Sequence, residues 1–360
     1  MRPLYKPLSP YFSCGPTKKP PGWNTNKLKL SNLSRYHRSN SAQKYIKNLI
    51  SNLKLFLKIP KDYKVFITPG SCTGAMEGVM WSLLNKKKKI TSIVFDYWGL
   101  EWTNSIRKMN YKIDLRISLD GKMPDLSNIN RNNDIFFVWT GTTTGMSINN
   151  LNWLSHNHSG LVVCDANSSV FIYDLEWKRI DVTVFSWQKA LGSEAQHGIV
   201  VLSPKALERL NDKQDFYIPK ILNLKNYNLP INTPSFLCFS DFEYCLNWFN
   251  KQGGINWSSK RCKENKKVLD DWSKQNEFIS YFCEDQEYQS LSPCFFKLDN
   301  ITKAKFKKII LFLEKEKIAY DIESYRKTEK GFRIWTGPTI IKKDLITLTN
   351  WLDWSFYNIN

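Results

Sequence analysis

A lysine and an aspartate stand where two apolar runs stop. Lys189 ends Phe185-Ser186-Trp187-Gln188-Lys189, ahead of the small-residue turn Ala190-Leu191-Gly192, and Asp165 follows the run Leu161 to Cys164. A lysine held in a fixed, dry position forms a Schiff base with an aldehyde, and a carboxylate opposite it keeps a pyridine nitrogen protonated so that the ring accepts electrons. The pair therefore points to pyridoxal phosphate. It is equally the pattern of a surface lysine and a turn aspartate, so other residues must decide between the two.

Two further turns offer groups for such a cofactor. Ser71-Cys72-Thr73-Gly74 lies between the strand-like Val65 to Thr68 and a helical stripe made by Ala75, Val79, Met80 and Leu83. N–H groups and hydroxyls at a helix N-terminus suit a phosphate, although a plain helix cap explains Ser71 or Thr73 as well. Gly141-Thr142-Thr143-Thr144-Gly145 presents three hydroxyls behind the run Ile135 to Trp139, one of them placed to bond a phenolic oxygen, and a bare turn reads the same way.

These positions need a sheet to hold them. Apolar runs at Ser92 to Phe95, Ile135 to Trp139, Leu161 to Cys164, Val182 to Trp187 and Gly198 to Leu202 follow the first strand, and the early connections are long enough for crossover helices. A mostly parallel sheet with helices on both faces is expected. Ahead of it come a proline-punctuated arm, Pro3 to Trp23, and a helix with Ile46, Leu49, Ile50, Leu53, Phe56 and Leu57 on one face, ended by Pro60. Beyond about residue 240 the pattern changes to a charged helix over 257–275, strands at Phe278 to Phe282 and Pro293 to Leu298, and a helix facing inward through Phe306, Ile309, Ile310 and Leu313. Strands near Ala319 to Ile322 and Phe332 to Trp335 and a last helix, Asp344 to Tyr357, complete a small α+β part. The expected division is 1–240 for arm and large domain and 241–360 for the small domain, with a hinge at Asn232 to Glu243.

Composition narrows the function classes. The 360 residues are 42% hydrophobic and 14% aromatic, which fits a folded chain rather than a disordered one. No apolar stretch nears the roughly 18 residues of a membrane span, and prolines interrupt the opening segment, so a cytoplasmic protein is expected. The eight cysteines form no Cys-x-x-Cys pair and several sit in apolar runs, so neither a disulfide framework nor a metal site is indicated. The net charge is +19, with twelve Lys or Arg and no acidic residue in the first 60 positions. That balance suggests nucleic acid, yet the basic residues are mostly scattered lysines, and compositional bias with attraction of an anionic substrate explains them better. No nucleic-acid partner is expected, and His156, His158 and His197 read as structural.

Taken in order, the segments carry a resemblance. Phe12-Ser13-Cys14-Gly15-Pro16, Pro21-Gly22-Trp23, His37-Arg38-Ser39, Thr73-Gly74-Ala75, Phe137-Val138-Trp139-Thr140-Gly141-Thr142-Thr143, Cys164-Asp165-Ala166, Phe185 to Lys189, Ile231-Asn232-Thr233-Pro234-Ser235 and Gly331-Phe332-Arg333-Ile334-Trp335 span nearly the whole chain. In this series the chain resembles the phosphoserine aminotransferase family of class V pyridoxal phosphate enzymes, with the type I fold: a large domain built on a mostly parallel seven-stranded sheet, plus a smaller C-terminal α+β domain.

The resemblance implies roles. Lys189 would carry the cofactor and move the substrate's α-proton, Asp165 would meet the pyridinium nitrogen, Thr142 the phenolic oxygen, and Trp98 would stack on the ring. Cys72, Thr73 and Gln188 would hold the cofactor phosphate, with Asn232 and Thr233 reaching across from a second subunit of a homodimer. His37 and Arg38, also from the partner, would bind the substrate phosphate with Arg326, while Arg333 would clamp the α-carboxylate, a task that suits arginine's planar fork. The reaction implied is transfer of an amino group from L-glutamate to 3-phosphohydroxypyruvate, giving 2-oxoglutarate and O-phospho-L-serine for serine biosynthesis, and extending to the phosphorylated ketone related to 4-phosphohydroxy-L-threonine in pyridoxine biosynthesis. Three positions depart from the family pattern: Cys72 replaces an aspartate, Tyr325 a histidine and Trp98 a phenylalanine. Another class V enzyme, such as a serine or alanine:glyoxylate aminotransferase, would share the cofactor residues without needing His37, Arg38 and Arg326. A basic nucleic-acid-binding protein that has lost catalysis would need none of them.

Overall fold

A computed structural model describes residues 1–212, 216–226, 230–324 and 329–359. Twelve strands and eight α-helices are formed by these residues. In chain order the first part holds α1 (Asn40–Phe56), β1 (Lys64–Pro69), α2 (Ser71–Leu83), β2 (Ile90–Val94), α3 (Tyr97–Lys108), β3 (Ile113–Ile117), β4 (Asp134–Val138), β5 (Thr140–Gly141), β6 (Met146–Ser147), β7 (Val162–Asp165), β8 (Val182–Ser186), β9 (His197–Leu202) and α4 (Pro204–Asn211). The second part holds α5 (Phe236–Lys251), α6 (Gly254–Lys274), β10 (Ile279–Tyr281), β11 (Cys294–Leu298), α7 (Lys303–Lys315), β12 (Gly331–Ile334) and α8 (Lys342–Asn358).

The large sheet has seven strands in the order β1-β9-β8-β7-β4-β2-β3, and only β9 runs against its neighbours. Every residue of β2, β4, β7, β8 and β9 is buried. Strands covered on both faces by helices read as continuous apolar runs, which is why these were visible in the sequence. The exception is β3, which escaped the sequence reading. Its Ile113, Leu115 and Ile117 alternate with Asp114 and Arg116 at the sheet's edge, where one side is open and no long apolar run is required.

Local signals start the helices. Side chains of Ser39, Asp96, Ser203, Ser235 and Thr302 accept N–H bonds at the N-termini of α1, α3, α4, α5 and α7. The charged helix expected over 257–275 begins three residues earlier, at Gly254. The second sheet, β10-β11-β12, is antiparallel; α6 packs Trp272 on Phe296, α7 packs Phe306 on Phe332, and α8 lies against α6. The strand expected near Ala319 to Ile322 is reduced to single bridges, Tyr11 to Tyr320 and Glu323 to Phe332. The expected hinge overlaps the start of α5, and the expected boundary at residue 240 falls inside this continuous helix.

The N-terminal arm crosses from one sheet's helices to the other's. Its Tyr5 carbonyl accepts the Trp351 indole N–H at 2.7 Å, its Leu8 N–H donates to Asp344 at 2.8 Å, and its Phe12 carbonyl accepts the Trp335 N–H at 3.0 Å. Lys18 pairs with Asp344 and Lys19 with Asp241, each at 3.1 Å. The arm thereby closes one wall of the site.

Candidate active site

Lys189 sits on the connection from β8 to β9, and several bonds fix the shape of that loop. Trp187 is fully buried and stacks on Phe242 of α5 at 4.1 Å. The Ser193 N–H returns to the Trp187 carbonyl at 3.2 Å and the Gly192 N–H to the Lys189 carbonyl at 2.9 Å. Gly192 has φ of 64°, and a Cβ there would come within 2.1 Å of the Lys18 carbonyl, so the close approach of arm and loop requires glycine. Thr17 completes the junction, its N–H donating to the Gln188 carbonyl at 3.1 Å and its hydroxyl to the Lys189 carbonyl.

The lysine side chain points into a cleft of about 1290 Å³ between the large sheet, the arm and β12. Its Nζ donates to the Cys14 carbonyl at 2.6 Å. Burial pushes this amine below the ordinary lysine range; Arg333 acts in the same direction, against the opposing influence of Cys14. A buried amine with weakened proton affinity is the state a nucleophilic lysine needs.

Asp165 ends β7 in the same cleft. Its Oδ2 accepts the Trp102 indole N–H at 2.9 Å, while Oδ1 accepts the Asn167 N–H at 3.0 Å and the Cys72 thiol at 3.5 Å. Burial raises this carboxyl above the usual range and those hydrogen bonds oppose the rise. Burial raises the Cys72 thiol in turn, and the neighbouring Asp165 adds to that rise. A cationic ring nitrogen set against Asp165 would relieve both effects.

The threonine turn becomes the β5–β6 hairpin, and it divides its hydroxyls. Thr143 turns away, its N–H and hydroxyl both serving Asp96. Thr142 faces the cleft, with Oγ1 2.8 Å from the Ser168 hydroxyl. Arg333, from β12, reaches the Thr142 carbonyl with Nη1 at 3.4 Å, so the small sheet's guanidinium meets the β5–β6 hairpin. Trp98 and Trp102, one turn apart on α3, both line the cleft with rings 5.9 Å apart.

Cys72, Thr73 and Gln188 also line this cleft. The Ser71 N–H goes to the Gln196 carbonyl and the Gly74 N–H to the Gly70 carbonyl, which leaves Cys72 and Thr73 as the free donors of the first turn of α2. Gln188 keeps a buried Oε1 with no partner in the chain.

The remaining expected residues lie elsewhere. Arg38, Asn232 and Thr233 are exposed and outside the chain's own cleft. His37 is buried beside Tyr36, also outside it, with an unpartnered Nε2. Arg326 and the adjoining Tyr325 fall outside the described residues. Sequence reasoning gave no role to Trp102 or to the Cys14-Gly15 backbone. The four-residue spacing from Trp98 was the available signal for the first, and Cys14-Gly15 was visible only as part of a motif. His197 packs its ring on Trp187 and Phe239, 5.4 and 4.8 Å away, as a core residue does.

Comparison with known proteins agrees with this geometry. The model of the family "Aminotransferase class-V" matches residues 22–321. A phosphoserine aminotransferase of Methanosarcina barkeri is 38% identical, with 99% of each chain covered. Among solved structures, a phosphoserine aminotransferase from Cytophaga hutchinsonii superposes with a TM-score of 0.83 at 19% identity, covering 96% of this chain and 98% of its own. One from Trichomonas vaginalis with bound pyridoxal phosphate gives 0.79 at 14%, covering 96% and 99%. With the sheet order, the lysine loop and the family match in agreement, the chain belongs to the class V aminotransferases.

Proposed function

We propose that the chain is a phosphoserine aminotransferase, moving the amino group of L-glutamate to 3-phosphohydroxypyruvate and releasing 2-oxoglutarate and O-phospho-L-serine. The observation that carries the proposal is the convergence of Lys189, Asp165, Trp98, Thr142 and Arg333 on one cleft, in a chain whose full length matches a relative bearing that name.

The residues present fit pyridoxal phosphate. Gln188 has an orphaned buried oxygen, α2 offers two free N–H groups, and a Cβ on Gly15 would fill the space occupied by Lys189 Nζ. Bound there, the cofactor supplies an electron sink for the charge left when an α-proton departs. Asp165 would hold the ring nitrogen in its protonated form, Thr142 would orient the phenolic oxygen, and Trp98 would cover the ring. Cys72, Thr73 and Gln188 would bind its phosphate. Lys189 Nζ would carry the α-proton between substrate and cofactor, a task its weakened basicity suits. Arg333 would fix the α-carboxylate.

We place the enzyme in the cytoplasm as a homodimer, and its eight free cysteines suit a reducing compartment. The exposure of Arg38, Asn232 and Thr233 away from their own cleft supports sharing, with these residues and His37 completing the partner's phosphate sites. No helix of the described residues is long and apolar enough to cross a membrane. Steady-state assay with phosphoserine, serine and alanine as competing amino donors tests the substrate. Phosphoserine should be preferred by orders of magnitude in kcat/KM, and equal use of the three would refute the reading.

A further inference from the structure

A buried carboxylate outside the cleft holds both segments that meet at Lys189. Asp241, on α5, is 2% exposed. Its Oδ1 accepts the Trp23 indole N–H at 2.8 Å and the Lys19 ammonium at 3.1 Å. Its Oδ2 accepts the Glu194 N–H at 2.7 Å and the Ser193 hydroxyl. Lys19 and Trp23 belong to the arm that supplies Cys14, Gly15 and Thr17 to the cleft, whereas Ser193 and Glu194 belong to the loop that carries Lys189. Lys19 also pairs with Glu194 at 2.7 Å, closing a ring of charge around the same junction.

We propose that Asp241 is a positioning residue for Lys189, acting as a clip that sets the arm against the lysine loop. A buried charge is retained at a cost in desolvation, and this one is met by four donors, two from each segment. Without it, arm and loop keep the exposed Lys19–Glu194 pair, the Thr17 bonds to the Gln188 and Lys189 carbonyls and the bond from the amine itself to the Cys14 carbonyl, none of which fixes both backbones from a buried anchor. A displacement of about 1 Å at a reacting nitrogen costs on the order of a hundredfold in rate. Arg333 and Thr142 belong to β12 and the β5–β6 hairpin, elements that supply none of the clip's four donors, so substrate binding should be spared. Asparagine at this position is not a neutral replacement, because its NH₂ group would face N–H and O–H donors.

The inference rests on the transaminase reading, and its test separates the two. Asp241→Asn, Ser193→Ala and Glu243→Gln are compared with the parent, Glu243 being a control on the same helix that binds Lys29 and Tyr45 instead. Asp241→Asn should lower kcat about tenfold or more with KM for glutamate within about twofold. It should also slow capture of pyridoxal phosphate by Lys189, followed by visible absorbance. Ser193→Ala should shift both in the same direction by a smaller factor, and Glu243→Gln should match the parent. If Asp241→Asn does not fold, Ser193→Ala decides. Parental kcat and capture rate in the folded variants, or an equal loss in Glu243→Gln, would overturn the clip. A parent protein that never develops the visible band would instead overturn the transaminase reading and the clip with it.

Discussion

Lys189 Nζ lies 2.6 Å from the Cys14 carbonyl, over the bare face of Gly15. A Cβ on Gly15 would come within 2.3 Å of that nitrogen, and its φ of 151° is strained for any L side chain. Gly15→Ala should therefore displace the amine. The expected result is loss of the visible band on adding pyridoxal phosphate and a fall in turnover on the order of a hundredfold. Absorbance titration with the cofactor checks it, and parental affinity would show that the lysine does not use this recess.

Trp102 should govern the acid side of the activity profile. Its indole bond lowers the proton affinity of Asp165 against the effect of burial. Trp102→Phe removes the donor, so Asp165 should take up a proton at higher pH and the acid limb of kcat should move upward. A bond to a carboxylate contributes about 1.5–3 kcal/mol, enough to shift that limb measurably. A limb that stays in place, measured between pH 5 and 9, would argue that Trp102 acts through packing alone.

The proposed sharing of sites across a homodimer predicts complementation. Lys189→Ala and Arg38→Ala proteins should each be nearly inactive on phosphoserine, yet mixing them under conditions that exchange subunits should restore activity. Random pairing makes half the dimers mixed, each with one intact site, so recovery should approach about one quarter of the parent. No recovery despite verified exchange would place Arg38 outside the partner's site.

His197 should make the fold acid-sensitive. Burial lowers its pKa to about 4, against about 6.5 in an unfolded chain. Between those values the unfolded state binds more protons, so the stability present above pH 6.5 is lost as the pH falls toward 4. The loss between pH 7 and pH 4.5 should be roughly 2 kcal/mol smaller in His197→Gln than in the parent. Denaturant unfolding at the two pH values measures the difference, and identical losses would remove His197 as a cause.

The sequence disclosed what local pattern encodes. Lys189 and Asp165 were visible because each closes an apolar run, and buried strands such as β4 and β8 were visible because both of their faces are covered. Asp114 and Arg116 concealed β3. The threonine turn could be found but not resolved, since only the folded hairpin separates Thr142, which faces the cleft, from Thr143, which serves Asp96. Trp102 meets Asp165 across 63 positions and Cys14 meets Lys189 across 175. Such contacts depend on tertiary packing and leave no periodic trace along the chain.

The arm's anchors carry a consequence for how the protein is made. Residues 5–12 precede the large sheet in the chain, but Trp335, Asp344 and Trp351, which hold them, follow it. During synthesis the large sheet can assemble while its front wall still lacks a place to dock. The wall that the arm lends to the lysine loop thus waits on residues from the far side of the sheet in sequence, so the site closes only after the large sheet itself can have folded.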